Sequence, residues 1–194
     1  VVLIVQVLKD ELRHKILLES EHLFLQRGYD RTSLQMIADK VNISKSNLYH
    51  YFKNKEELFY ELTDSAADGL KRMILRFRSM RFDLNMDAQE FRMLLTEEVL
   101  SLLLAEKYGL LLIMEQANGT RYENLRPVMI ERIASKIVPM LADEENSPMM
   151  AQIMARNLVD GTVHILKNRV RPSEVRAGLN QLITYHTQGM HALQ

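Results

Sequence analysis

At 194 residues, 47% of them hydrophobic, the chain is long enough to bury a substantial core. Lys+Arg and Asp+Glu both number 25, so the chain as a whole has no attraction to polyanions. With no cysteine, disulfides, thiolate metal sites and a cysteine nucleophile are excluded, and the composition fits a reducing cytoplasm.

Four prolines and seven glycines punctuate the chain, strand-type alternation is nearly absent, and no internal repeat is evident. This predicts an all-α protein of about nine helices. The apolar lead-in Val1–Val7 is too short to span a bilayer and has no signal-peptide flank; no function is assigned to it. A first helix over 8–27 turns Leu12, Ile16, Ser20 and Leu23/Phe24 inward and ends at Gly28, with Tyr29 as an apolar plug. Two short helices follow over 32–52. Thr32 or Ser33 caps the first, whose apolar face is Leu34, Ile37, Ala38 and Val41. Asn42 makes a sharp turn, Ser44 caps the second, and Leu48 and Phe52 point inward.

A long helix starts at Asn54, with Glu57 completing a variant capping box and a stripe of Leu58, Leu62, Ala66, Leu70, Met73 and Phe77. Residues 81–86 read as a connection. Asp87 opens a helix burying Phe91, Leu94, Leu95, Val99, Leu102 and Leu103. A short apolar helix over 108–117 ends at Asn118-Gly119-Thr120, and another runs over about 122–142, with Pro127 in its first turn and Pro139 kinking or ending it. After a polar loop over 143–146, Ser147-Pro148 starts a helix with Met150, Ile153, Met154, Asn157, Gly161 and Ile165 on one side. Pro172-Ser173 opens the last, with Val175, Leu179, Leu182, Ile183 and His186 inward.

The charge distribution is uneven. Residues 1–55 hold nine basic groups and six acids, whereas the remainder holds sixteen and nineteen. From Lys40 to Lys55 there are four lysines, His50, two tyrosines and no acid. Apolar residues hold the second short helix while Lys45, Ser46, Asn47, Tyr49 and His50 face outward. That division suits a helix meeting base edges and phosphates in a DNA groove.

The run from Thr32 through Lys55, with the preceding Arg27-Gly28-Tyr29-Asp30, resembles the DNA-binding signature of the tetracycline-repressor (TetR) family over roughly Leu8 to Phe59. There are two departures from it: Asn42 stands where the family usually has Gly, and Ser46-Asn47 where Gly-Thr is common. The resemblance implies a helix-turn-helix, three-helix DNA-binding head (1–53) and a helical ligand-binding and dimerisation body (54–194). It also implies a homodimer through helices near 148–168 and 172–190. The function implied is a transcriptional regulator, a repressor released from a pseudo-palindromic operator by an unidentified apolar or amphipathic effector.

The DNA-facing set is Ser33, Gln35, Ser44, Lys45, Ser46, Asn47, Tyr49, His50, Tyr51 and Lys55. Lys45, Ser46 and His50 are base readers and Asn47 a backbone contact. Tyr49 is a phosphate contact or a half-buried core aromatic, and Lys55 a phosphate ligand or a solvated lysine. Gln35 bonds adenine or, if Thr32 is the cap, completes a capping box. Tyr51 contacts phosphate or packs on the first helix.

In the body, Met114, Glu115, Gln116, Asn118, Tyr122, Asn157 and His164 are candidate ligand contacts, and the many methionines suit an adaptable apolar wall or ordinary core filling. Glu11-x-x-His14 and Glu19-x-x-His22 match a carboxylate-bridged metal motif, but both lie on one helix where such sites need separate helices. No metal, cofactor or membrane partner is predicted. No catalytic set converges, so an all-helical carrier or enzyme with an incidental basic head is the lesser alternative, beside a ligand-blind DNA-binding protein.

Overall fold

The computed structural model describes residues 2–79, 97–141 and 145–192, and the regular structure among them is helical, with nine α-helices and one 3₁₀ turn. They are α1 (Val2–Arg27), α2 (Leu34–Val41), α3 (Lys45–Leu48), α4 (Lys55–Ser79), α5 (Glu97–Ala105), α6 (Lys107–Glu115), α7 (Leu125–Ile137), α8 (Ser147–Asn168) and α9 (Pro172–His191). The all-α expectation holds. The connection over 81–86, the helix start from Asp87 to Leu95, the side chains of Phe77 and Val99, and most of the 143–146 loop lie outside the described residues.

Two compact units form. The first comprises Val1–Ala67 and Tyr108–Glu123, the second Asp68–Lys107 and Asn124–Gln194; α4 contributes residues to both.

In the first unit, α1 begins at Val2, well before the expected start near Leu8, and buries Ile16, Ser20, Leu23 and Phe24. The Ser20 hydroxyl donates to the Ile16 carbonyl at 2.6 Å, which permits a polar residue on this apolar stripe. Phe24, Tyr29 and Phe59 pack ring against ring, with centroids 5.0–5.9 Å apart. Helix α6 is apolar on every side, with Gly109 through Met114 all buried. Its Gly109 lies so near α4 that a Cβ there would sit 2.9 Å from both the Ala66 Cβ and the Leu62 carbonyl oxygen.

An arginine then seats the turn after α6 on α4. The Arg121 guanidinium stacks on the Tyr60 ring (3.9 Å) and lies 4.9 Å from the Tyr122 ring. It also pairs with Asp64, whose Oδ1 accepts the Tyr122 hydroxyl at 2.6 Å. The hydrogen bond to Asp64 is the main reason the Arg121 pKa is raised further. Burial, then the bond to Asp64, pushes the Tyr122 pKa up to about 12.

In the second unit, α7 ends at Ile137, where Pro139 turns the chain into the 3₁₀ segment Val138–Met140, as the proline predicts. Helix α8 faces inward through Ala151, Met154, Ala155, Val159, Val163 and Leu166. Of the side expected to be apolar, Met154 is buried within this chain, while Ile153 and Asn157 are exposed. The small Ala151 and Ala155 allow Ile130 and Ala134 of α7 to pack closely, and a stripe chosen by side-chain size overlooks them. Gly161 meets Leu182 of α9, and Gly178 of α9 meets Ile165, so these glycines serve close packing within one chain. A small cluster gathers Met140, Met154 and Met190. No helix among the described residues is long and apolar enough to cross a membrane.

His186 of α9 is 6% exposed, and its Nε2 has no hydrogen-bond partner. Burial lowers its pKa. A histidine with a depressed folded pKa is neutral in both states above the unfolded value of about 6.5. Below that, the unfolded chain gains the proton first, so stability is lost as pH falls through the folded pKa. Urea unfolding between pH 8 and pH 5 should show this decline, and His186→Leu should flatten it relative to wild type. Gly109→Ala should lose up to about 2 kcal/mol in the same assay at neutral pH. Its overpacking cost of about 1–3 kcal/mol outweighs the gain of about 1 kcal/mol in helix propensity.

Candidate nucleic-acid interface

The candidate motif over residues 28–55 is assembled from local signals that the fold then buries. Gly28, at φ 88°, closes α1 with its N–H on the Phe24 carbonyl at 2.8 Å. The chain turns through Tyr29 to Thr32, whose buried hydroxyl donates to the Gly28 carbonyl at 2.7 Å. Ser33 is therefore the cap of α2, its Oγ accepting the Met36 N–H at 3.2 Å. Gln35 is exposed, and its amide donates to Asp39 at 2.7 Å instead of completing a capping box.

Asn42 adopts the left-handed conformation (φ 63°, ψ 49°), and it is the one non-glycine residue described with positive φ. This reverses the chain in the space of one residue, and the Ile43 N–H then returns to the Ala38 carbonyl at 3.0 Å. Asparagine tolerates this region better than other side chains do. Ser44 caps α3 by accepting the Asn47 N–H at 3.1 Å. Helix α3 is only four residues long, but tight turns carry the backbone on: the Tyr51 and Phe52 N–H groups both return to the Leu48 carbonyl. Leu48 and Phe52 are fully buried.

That anchoring leaves Ser44, Lys45, Ser46, Tyr49 and His50 exposed, Asn47 and Tyr51 half-buried, and Ser33 and Gln35 exposed at the start of α2. The Lys45 ammonium sits 5.9 Å from the Tyr49 ring, which is 47% exposed. Cations, hydroxyls, an imidazole and an amide thus share one short exposed segment, a surface able to meet phosphate oxygens and base edges together.

Helix α4 begins beside this segment. Asn54 Oδ1 accepts the Glu57 N–H at 2.7 Å, and Glu57 reaches back to the Lys53 N–H at 2.6 Å. Lys55 is half-buried. Its ammonium donates to the carbonyls of Tyr29 (2.6 Å) and Thr32 (2.8 Å) and lies 4.0 Å from the Tyr29 ring centroid. Burial lowers its pKa, with Asp30 opposing.

Three residues outside the expected set shape this surface. Arg13 of α1 lies 5.0 Å from the Phe52 ring and pairs with Glu61 of α4. Arg31 is an exposed cation just before the α2 cap, and its place beside Thr32-Ser33 was the signal available for it. Gln116 accepts the Tyr29 N–H through its carbonyl at 3.1 Å, a link that no local pattern signals.

The candidate ligand contacts do not share one unit. Met114, Glu115, Asn118 and Tyr122 belong to the first, with Met114 and Tyr122 buried and the other two exposed. Asn157 and His164 are exposed on α8 in the second. No group of three or more His, Asp or Glu among the described residues could hold a metal ion.

The family profile of bacterial regulatory proteins, tetR family, matches residues 16–62. The biofilm operon icaADBC HTH-type negative transcriptional regulator IcaR of Staphylococcus epidermidis is 34% identical over 65 residues, 34% of this chain and 35% of that protein. The HTH-type transcriptional activator FasR of Mycolicibacterium smegmatis is 34% identical over 62 residues, 32% of this chain and 28% of that one. The chain thus matches only about a third of the length of these curated relatives. The crystal structure of Probable transcriptional regulatory protein RHA5900 superimposes with a TM-score of 0.60 at 19% identity, covering 91% of this chain and 97% of that one, which is a likeness of fold.

The Asn42 turn yields a direct test. Asn42→Gly should keep the fold within a few tenths of a kcal/mol, whereas Asn42→Val should cost about 1–2 kcal/mol in thermal unfolding, because a branched side chain is strained in the left-handed region.

Proposed function

We propose that this chain is a dimeric transcriptional regulator that places α3 of each copy in a DNA major groove, a reading supported by the match of residues 16–62 to the tetR-family profile. The observation that carries this reading is the exposed face of Lys45, Ser46, Tyr49 and His50, held from beneath by the buried Leu48 and Phe52. In this reading residues 1–53 meet the duplex and residues 54–194 set dimer geometry and respond to an effector. Ser33, Ser44, Asn47 and Tyr51 contact the sugar–phosphate backbone, and Gln35, Lys45, Ser46 and His50 face the bases. The site of action is the cytoplasm, where a bacterial chromosome lies.

Two copies pair through α8 and α9, whose exposed Met149, Ile153 and Tyr185 offer apolar surface beyond that used inside the chain. A symmetric dimer reads a pseudo-palindrome, with half-site spacing fixed by the pairing. A small apolar or amphipathic effector releases the operator by favouring a dimer with the wrong head spacing. Moving such an equilibrium from 1:99 to 99:1 takes about a 10⁴-fold preference between states, or about 5.5 kcal/mol. Repression follows the precedent of IcaR, a negative regulator, although FasR, an activator, matches over a similar stretch.

Selection of bound duplexes followed by footprinting tests the proposal. Two protected half-sites related by a dyad, with affinity falling steeply with salt, are the expected result. Recovery of no preferred duplex would end it. Tyr49→Phe should weaken binding to every sequence, whereas Lys45→Ala and His50→Ala should each change the base preference. A preference matrix unaltered by both would remove them as readers.

A further inference from the structure

We propose that Lys55 is a positioning residue that clasps the two ends of the reading motif together, and not one of its phosphate ligands. The inference rests on the reading of residues 32–55 as the DNA-contacting segment and assigns a different task within it. A lysine ammonium has three N–H donors and no acceptor. Two of these are taken by the main-chain carbonyls of Tyr29 and Thr32, at 2.6 and 2.8 Å. The Tyr29 ring, 4.0 Å away, occupies a further side of the ammonium. A phosphate oxygen would have to share Nζ with these two carbonyls and the ring face.

The placement gives the clasp its purpose. Tyr29 and Thr32 lie where the chain enters the motif, immediately before the Ser33 cap of α2. Lys55 lies where the chain leaves it, three residues past the buried Phe52. One side chain therefore ties positions 26 and 23 residues apart. Lysine suits the position because its compact charge can approach two carbonyls and a ring face together. The entry turn is in turn fixed from beyond the motif, since the Tyr29 N–H is bonded to Gln116. With the ammonium removed, the Tyr29 and Thr32 carbonyls lose their charged partner and the angle between α2 and α4 loosens. The exposed side chains of α3 remain, but their placement against a duplex is blurred.

The test uses the full chain with Lys55→Met, the milder Lys55→Gln, and Lys53→Gln as a control that removes an exposed charge two residues earlier. Two quantities are read: amide hydrogen exchange over residues 28–41, and the slope of log affinity against log salt for a selected and an unrelated duplex. The clasp predicts faster exchange over 28–41 in both Lys55 variants and not in Lys53→Gln. It also predicts affinity at least tenfold weaker for both duplexes, with the salt slope unchanged. A phosphate ligand would instead lower the slope by about one. That loss of slope, or exchange that stays at the wild-type rate, overturns the proposal. If the wild-type protein binds no duplex in a salt-sensitive way, the DNA-reading function fails instead, and the exchange measurement still decides whether Lys55 holds the motif.

Discussion

A helix of four residues cannot hold itself together in water, and burial of Leu48 and Phe52 under α3 is the constraint on which the exposed face of Lys45, Ser46, Tyr49 and His50 depends. One hydroxyl cap and a few tight backbone bonds complete α3, but the apolar anchors decide which way its other side chains point. Everything beneath serves to keep those anchors in place. Ala38 gives α2 a small, buried face, and Asn42 turns the chain without glycine. Phe24, Tyr29 and Phe59 supply an aromatic floor between α1 and α4. Arg13 reaches the Phe52 ring from one side while pairing with Glu61 on the other.

The same division of labour explains the charge pattern. Among the cations of residues 1–55, some are exposed along α3 and its flanks, whereas others are engaged internally, as with Lys55 on two carbonyls. Arg121 illustrates the second use in the turn after α6. Stacked between two tyrosine rings and paired with Asp64, it holds a turn in place where a lone surface ion pair would contribute little.

What could be read from the sequence was local. Caps at Ser33 and Ser44, the turn at Asn42, the stop at Gly28 and the break at Pro139 each depend on neighbours within a few residues, and each stands where its chemistry puts it. What could not be read was distant or small. The carbonyls that hold Lys55 lie 23 and 26 residues away, and the carboxylate that holds Tyr122 lies 58 away. Along α8, the face that packs against α7 is set by Ala151 and Ala155, which matter because they are small and carry little signal of their own in the sequence. Tyr122 looked like a ligand anchor because it is a polar aromatic amid apolar sequence, and its hydroxyl instead bonds Asp64. Residues 108–123 pack in the same unit as residues 1–67, where Gly109 lies against the Leu62 carbonyl, a fit that depends on a missing Cβ.

The trio of Met140, Met154 and Met190 has a chemical consequence. With no cysteine in the chain, all of its sulfur is thioether. Peroxide would turn these side chains into sulfoxides, which are polar and too poorly matched to an apolar cluster to remain there. Oxidation that reached this buried trio would thus act on the packing of the second unit, whereas oxidation of the exposed Met149 would leave that packing intact.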